Sequence, residues 1–299
     1  MDWAIGQAPA GGYVIALSLN AVLQHCSSRY QQHPVALNTF FFKKTEAGPF
    51  VVEISDLKPS KRGFCVIKAI MRQPKNREAI VPQRLQDYDP SEYVTKTHSI
   101  ITMANMDGEK GLTYETLEAA KPPSTETMQH SQMDFMHQYI DIYQDMSTYP
   151  IRDQASGKTI CPGRPEVHHS VCFKDGRETD FKSIPFWADL FIHPMYSLDN
   201  ELLGGPSWMP TLQLEVQFKS VPKHVKRVLA SFKVPHIING RFDLDGALFD
   251  QDKNLLATTR HQCLVVPWNV TRHQQLLQSR LPCYPLPNSR LFNYTSFDR

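Results

Sequence analysis

Cysteine is sparse and scattered in this sequence: six residues, at positions 26, 65, 161, 172, 263 and 283, with no CxxC pair among them. That spacing supports neither a zinc site nor a disulfide framework, and it fits a reducing compartment. Net charge is nearly absent too. Lys plus Arg number 32 against 30 for Asp plus Glu, a formal +2, which is too balanced for a chain that neutralises nucleic acid or coats an anionic membrane. Long apolar runs are missing. The best N-terminal stretch, residues 13–23, is broken by Ser18 and Asn20 and preceded by Asp2 rather than by basic residues, so no membrane span or export signal is read. A GxSxG nucleophile elbow is absent as well, which argues against serine hydrolase chemistry. The expectation is a cytoplasmic protein with no nucleic-acid, membrane or metal partner.

What the chain does have is apolar mass and an internal repeat. Its 299 residues, 41% hydrophobic, can bury a substantial core, which excludes a disordered or fibrous protein. Pro34 opens the run Val35 to Lys43, and 176 positions later Pro210 opens Thr211 to Lys219; both read as strands. An apolar helical segment precedes each strand, Gly12 to His25 in one case and Phe186 to about Leu198 in the other. Branched and aromatic runs follow each strand. The first half offers Phe50 to Leu57, Phe64 to Met71 and Tyr93 to Met103; the second offers Val228 to Val234, Gly240 to Phe249 and Leu255 to Val266, the last two joined by an Asp250 to Asn254 turn.

The pattern breaks between the halves. Lys121 Pro122 Pro123 Ser124 Thr125 has linker composition. Met133, Met136, Ile140 and Tyr143 then recur at helical spacing, which predicts a packing helix. The domain reading is an N-terminal unit at 1–106, a linker with a helix at 107–165, and a C-terminal unit with a tail at 166–299. His168 and His169, with no ligand partner at metal spacing beyond Glu166, read as an exposed strand pair. His130 and Asp134 form an HxxxD string, discounted because it falls in the linker and such a match arises readily by chance.

One long helix wrapped by a curved antiparallel sheet, repeated in tandem, resembles the double hotdog fold of the acyl-CoA thioesterase II family, an α+β class. The matching residues are Ala8 to Val14 with their Gly-Gly entry into the first helix, Phe173 to Asp189 leading into the second, and Leu255 to Gln262 as the closing strand. The chain is similar especially to thioesterase-like members of fungal secondary metabolism. The resemblance implies hydrolysis of an acyl thioester on coenzyme A or an acyl carrier protein. It implies no cofactor beyond the coenzyme A of the substrate, and a monomer or homo-oligomer. It also implies a catalytic set in the second unit: Asp189 on the helix, Thr211 on the next strand, and on the last strand His261 where the family has Gln, with Gln262 one residue along. Gly11, Gly12 and Tyr13 are implied as the oxyanion and substrate-binding segment. Shifting back by 176 sets Tyr13 against Asp189 and Val35 against Thr211, so the first unit lacks the carboxylate and the hydroxyl. One working site per chain is expected.

The chemistry suits these residue types. A thioester carbonyl is electrophilic and its leaving thiol has a pKa of about 8.5, so hydrolysis needs an activated water and an oxyanion donor more than a strong acid. Asp189 can take the proton, Thr211 can bond the same water, and His261 or Gln262 can orient it. Backbone N–H groups at a helix N-terminus can meet the developing oxyanion. Basic residues at strand ends, Lys43, Lys44, Lys58, Lys61 and Arg62 with Lys219, Lys223, Lys226 and Arg227, are candidates for contact with the phosphates of coenzyme A. Two other functions stay open. One is a hotdog protein that binds acyl chains without hydrolysis; the other is acyl transfer, dehydration or cyclisation with His261 as acid or base.

Overall fold

Gly12, Ile15, Leu19 and Val22 fall on one stripe at helical spacing and are buried, which fixes helix α1 over Gly11–His25. In the computed structural model, residues 3–267 are described apart from 6–7, 77–80, 83, 117–118, 132–135, 154, 191–192, 199–202 and 204. The chain is mostly sheet. Twelve antiparallel strands form one large curved surface: β1 (His33–Phe41), β2 (Val51–Lys58), β3 (Cys65–Pro74), β4 (Tyr93–Ala104), β5 (Met128–Ser131), β6 (Ile140–Asp145), β7 (Glu166–Phe173), β8 (Thr211–Phe218), β9 (Val228–Lys233), β10 (Ile237–Ile238), β11 (Arg241–Phe249) and β12 (Leu255–Leu264). Their order across the sheet is β2-β3-β4-β1-β8-β12-β11-β9-β7-β6-β5, with β10 paired to β11. The two strands singled out by the repeat, β1 and β8, therefore lie side by side at its centre. Leu37 stands opposite Val216 across that seam and opposite Ile101 on its other side. All three are buried in one core that also takes in Leu19, Val22 and Trp187 from the helices.

Each central strand carries one extra residue in the same place. In β1, Pro34 pairs with Met103 and Ala36 with Thr102, leaving Val35 as a bulge. In β8, Thr211 pairs with Cys263 and Gln213 with Gln262, leaving Leu212 as a bulge. The bulges and the buried pair Leu37 and Leu214 align at an offset one residue longer than the sequence pattern gave. Pro34 rather than Val35 thus corresponds to Thr211, while Gly12 is the second residue of α1 and Asp189 the last of α2, so the helices do not share this offset. Neither first-half position carries a carboxylate or a hydroxyl.

Two expected helices differ from the structure. Helix α2 covers Ser183–Asp189 only, seven residues, where a run to Leu198 was expected. Pro194 explains part of this: the residue before a proline is driven out of the helical region, and His193 has φ −58° and ψ 128°. A separate 3₁₀ turn follows at Pro194–Ser197. The helix expected over residues 133–143 is instead strand β6 from Ile140 onward. Ile140, Ile142 and Gln144 are buried in alternation with Asp141 and Tyr143, a period of two, and Met136 has φ +60°, outside the right-handed helix. Met133, Asp134 and the tail beyond Pro267 lie outside the described residues. Among the described residues no helix is long and apolar enough to cross a membrane.

The central seam gives a direct test of the core. Leu37→Ala is expected to lower the unfolding free energy by about 2–5 kcal/mol, the range for a fully buried Leu, measured by urea denaturation.

Candidate active site

Helix α1 begins at an alanine, Ala10, whose side chain cannot cap it. The first turn of any helix leaves backbone N–H groups without an intrahelical acceptor. Here the acceptor comes from the other half of the chain: Gly12 N–H donates to Asp189 Oδ2 at 2.6 Å. The carboxylate sits at the positive end of the α1 dipole, where negative charge is favoured. Both glycines are required by this packing. A Cβ on Gly12 would lie 2.4 Å from the Pro185 carbonyl oxygen and 2.8 Å from Asp189 Cβ, and a Cβ on Gly11 would lie 2.9 Å from Asp189 Oδ2.

The second carboxylate oxygen faces the sheet. His261 Nε2 is 3.5 Å from Asp189 Oδ1, with the imidazole fully buried and the aspartate side chain 14% exposed. The imidazole stands behind the carboxylate, and the carboxylate is the group that meets solvent. His261 reaches this place because it shares the inner face of β12 with Cys263 and Thr259, while Gln262 alternates to the outer face and is exposed. Gln262 is thereby separated from Asp189 by strand parity.

Thr211 is brought inward by the bulge at Leu212. By simple alternation it would share a face with Gln213 and Glu215; the extra residue returns it to the face of Leu214 and Val216. Its Oγ1 lies 3.7 Å from Cys263 Sγ. Burial pushes the Cys263 thiol up to about 12, against the opposing effect of the Thr211 contact and with smaller contributions in the same direction from the charges of Asp189 and Asp243. Cys263 is therefore a neutral thiol at neutral pH and is unsuited to act as a nucleophile. Sequence reasoning missed this residue because a single Cys in a strand has no motif around it.

Tyr13 points elsewhere. Its ring lines a cleft of about 500 Å³ between α1 and the segment that leads into α2, walled by Trp3, Phe173 and Phe186. The Arg177 guanidinium covers this wall, 3.9 Å from the Phe173 ring centre. Arg227 is half-buried and donates to Ser170 Oγ at 3.0 Å and to Cys172 Sγ at 3.3 Å, on the face of β7 opposite the core residues Val171 and Phe173. One further sequence expectation changes. His169 is wholly buried rather than exposed, and burial pushes its pKa down to about 3. Among the described residues no group of three or more His, Cys, Asp or Glu is arranged to hold a metal ion.

The comparisons agree with this architecture. Residues 1–81 match the acyl-CoA thioesterase N-terminal domain and residues 117–265 the acyl-CoA thioesterase C-terminal domain. The chain belongs to the acyl-CoA thioesterase family. Among solved structures it is similar to a protein designated a thioesterase II from Thermobifida fusca, at 20% identity and TM-score 0.65 over 89% of each chain. It is also similar to a hot dog fold protein from Alicyclobacillus acidocaldarius, at 18% identity and TM-score 0.65 over 87% of this chain and 88% of that one. A third is an acyl-CoA thioesterase II, TesB2, from Mycobacterium marinum, at 15% identity and TM-score 0.61 over 86% and 89%. At these identities the structural likeness establishes the hotdog fold. No curated protein matches the sequence.

Two predictions follow from this geometry. Gly12→Ala forces backbone apart and is expected to cost about 1–3 kcal/mol in urea denaturation. Gly11→Ala meets the movable carboxylate end instead and is expected to cost less stability while still displacing Asp189. The second concerns pH. His169 and His193 both have folded pKa values pushed by burial to about 3, His193 with a further contribution from neighbouring His261. An unfolded imidazole titrates near 6.5, so between about pH 6.5 and 3 the unfolded state binds protons that the folded state refuses. Each group then removes up to about 1.4 kcal/mol of stability per pH unit as pH falls through that window. Urea midpoints measured from pH 7 to pH 4.5 should decline accordingly, and less steeply in His169→Leu.

Proposed function

We propose that this protein hydrolyses an acyl-CoA thioester, with Asp189 as the general base of a single site in a tandem pair of hotdog units. The tandem reading is supported by the matched strand orders on either side of the β1–β8 seam and by the matched bulges at Val35 and Leu212. The observation that carries the activity is the held carboxylate: Asp189 accepts from Gly12 N–H, has His261 behind it, and keeps a partly exposed edge. In the reaction, water attacks the thioester carbonyl as Asp189 takes its proton. The new C–O bond forms, the C–S bond breaks, and the proton passes to the departing thiolate. Thr211 supplies a hydroxyl that can bond the same water.

The depth order within the pair argues against His261 as the reacting acid or base. A group with no exposed surface that sits behind a carboxylate orients it; it does not meet substrate. Gly12 N–H is likewise engaged by Asp189, so it holds the base rather than an oxyanion in this arrangement. Gln262, on the outer face, has no part in this mechanism.

The test is thiol release from a panel of acyl-CoA substrates. Asp189→Asn keeps an oxygen to accept Gly12 N–H and is expected to reduce kcat by about 10²-fold or more. His261→Gln, which retains an N–H donor, should lose less activity than His261→Ala. Unchanged turnover in Asp189→Asn, or acyl-CoA binding without thiol release by the wild-type protein, would overturn the reading.

A further inference from the structure

Three phenylalanines in a row, Phe40, Phe41 and Phe42, stand at the end of strand β1. Strand parity separates them. Phe40 and Phe42 are exposed, whereas Phe41 shares the inner face with Leu37 and Thr39 and packs on the core. Its ring meets the N-terminus of α1. The point where a Cβ on Gly11 would stand is 3.2 Å from Phe41 Cζ and 3.4 Å from Phe41 Cε1, and it is 2.9 Å from Asp189 Oδ2. An aromatic edge and a carboxylate oxygen thus border one gap, which exists because residue 11 has no side chain.

The same ring stands beside the strand position of Thr211. Pairing between β1 and β8 ends with Phe40 opposite Gln213, so Phe41 comes next, opposite the Leu212 bulge that turns Thr211 inward. On the other side of β1, Phe41 pairs with the buried Thr97 of β4, which leaves the ring no room to swing into the sheet. The neighbours of Asp189 differ in depth: Gly12 and His261 are buried, while Gly11 and Phe41 are partly exposed. A carbonyl that approaches the open side of the carboxylate therefore passes along Phe41. A rigid apolar ring held at such a place selects by collision: a methylene beside the carbonyl fits past it, and a branch at that carbon strikes it. We infer that Phe41 is a specificity-determining residue, whose ring walls the space beside Asp189 and confines the substrate to thioesters unbranched at the carbon next to the carbonyl. This inference rests on the reading of Asp189 as the base.

Pentanoyl-CoA and 2-methylbutanoyl-CoA are isomers that differ in a branch beside the carbonyl. The wild type is expected to favour the straight isomer by about tenfold or more in kcat/KM for thiol release, the scale on which an apolar pocket discriminates one carbon. Phe41→Ala should reduce that preference about tenfold. Phe41→Leu, a smaller change that keeps the core filled, should shift it the same way by less, and Phe40→Ala on the outer face should keep it. The same ranking is expected in calorimetric binding of the non-hydrolysable thioethers S-pentyl-CoA and S-(2-methylbutyl)-CoA, which requires no turnover. Equal treatment of the two isomers and the two thioethers by the wild type, a preference unchanged in both Phe41 variants, or no binding of either thioether would overturn the inference. Thioether binding that shifts as expected without thiol release from either isomer would count against the proposed hydrolysis alone and would support the role of Phe41.

Discussion

The arrangement depends on one hydrogen bond that joins residues 177 positions apart, Gly12 N–H to Asp189 Oδ2. A helix without its own capping side chain needs an acceptor, and a partly buried carboxylate needs a donor. Each half of the chain supplies what the other lacks. The bond is possible only because glycine lets the backbones of α1 and α2 approach to where any Cβ would collide with the Pro185 carbonyl. In the proposed function the structural cap and the chemical base are the same group, so the two roles do not compete at position 189.

Strand parity does the rest of the sorting. On β12 it selects His261 and Cys263 for the interior and Gln262 for solvent. On β8 the Leu212 bulge shifts parity once, so that Thr211 joins the same interior face as Leu214 and Val216. One extra residue therefore decides whether a hydroxyl can take part in the site. The matching bulge at Val35 in β1 has no such consequence, since the equivalent position holds Pro34.

Much of this was legible in the sequence, for identifiable reasons. The strands on either side of the Asp250 turn stand where branched and aromatic residues put them, and the turn closes through its own side chain, which accepts from Asp252 N–H and Asn254 N–H. Pro34 and Pro210 open similar runs 176 positions apart, whereas the bulges at Val35 and Leu212 stand 177 apart. An ungapped comparison of residues cannot see that Leu37 and Leu214 are the buried equivalents. The segment at 133–143 failed through its period: apolar residues at Met136, Ile140 and Tyr143 fit a helix, whereas Ile140 and Ile142 fit a strand, and pairing with β7 decides between them. Cys263 had no local signal at all. It meets Thr211 through cross-strand pairing, a tertiary fact.

The order of carboxylate and imidazole also limits what this pocket can do. In a nucleophile–histidine–carboxylate relay the imidazole faces the reactant and the acid lies behind it, so the imidazole moves the proton. Here the sequence reverses that depth, with the fully buried His261 behind an aspartate that has an open edge. In the proposed reaction a carboxylate in front is placed to accept a proton from water, and a leaving group that departs readily eases the step. A thiolate, whose thiol has a pKa of about 8.5, leaves more readily than an alkoxide or an amine.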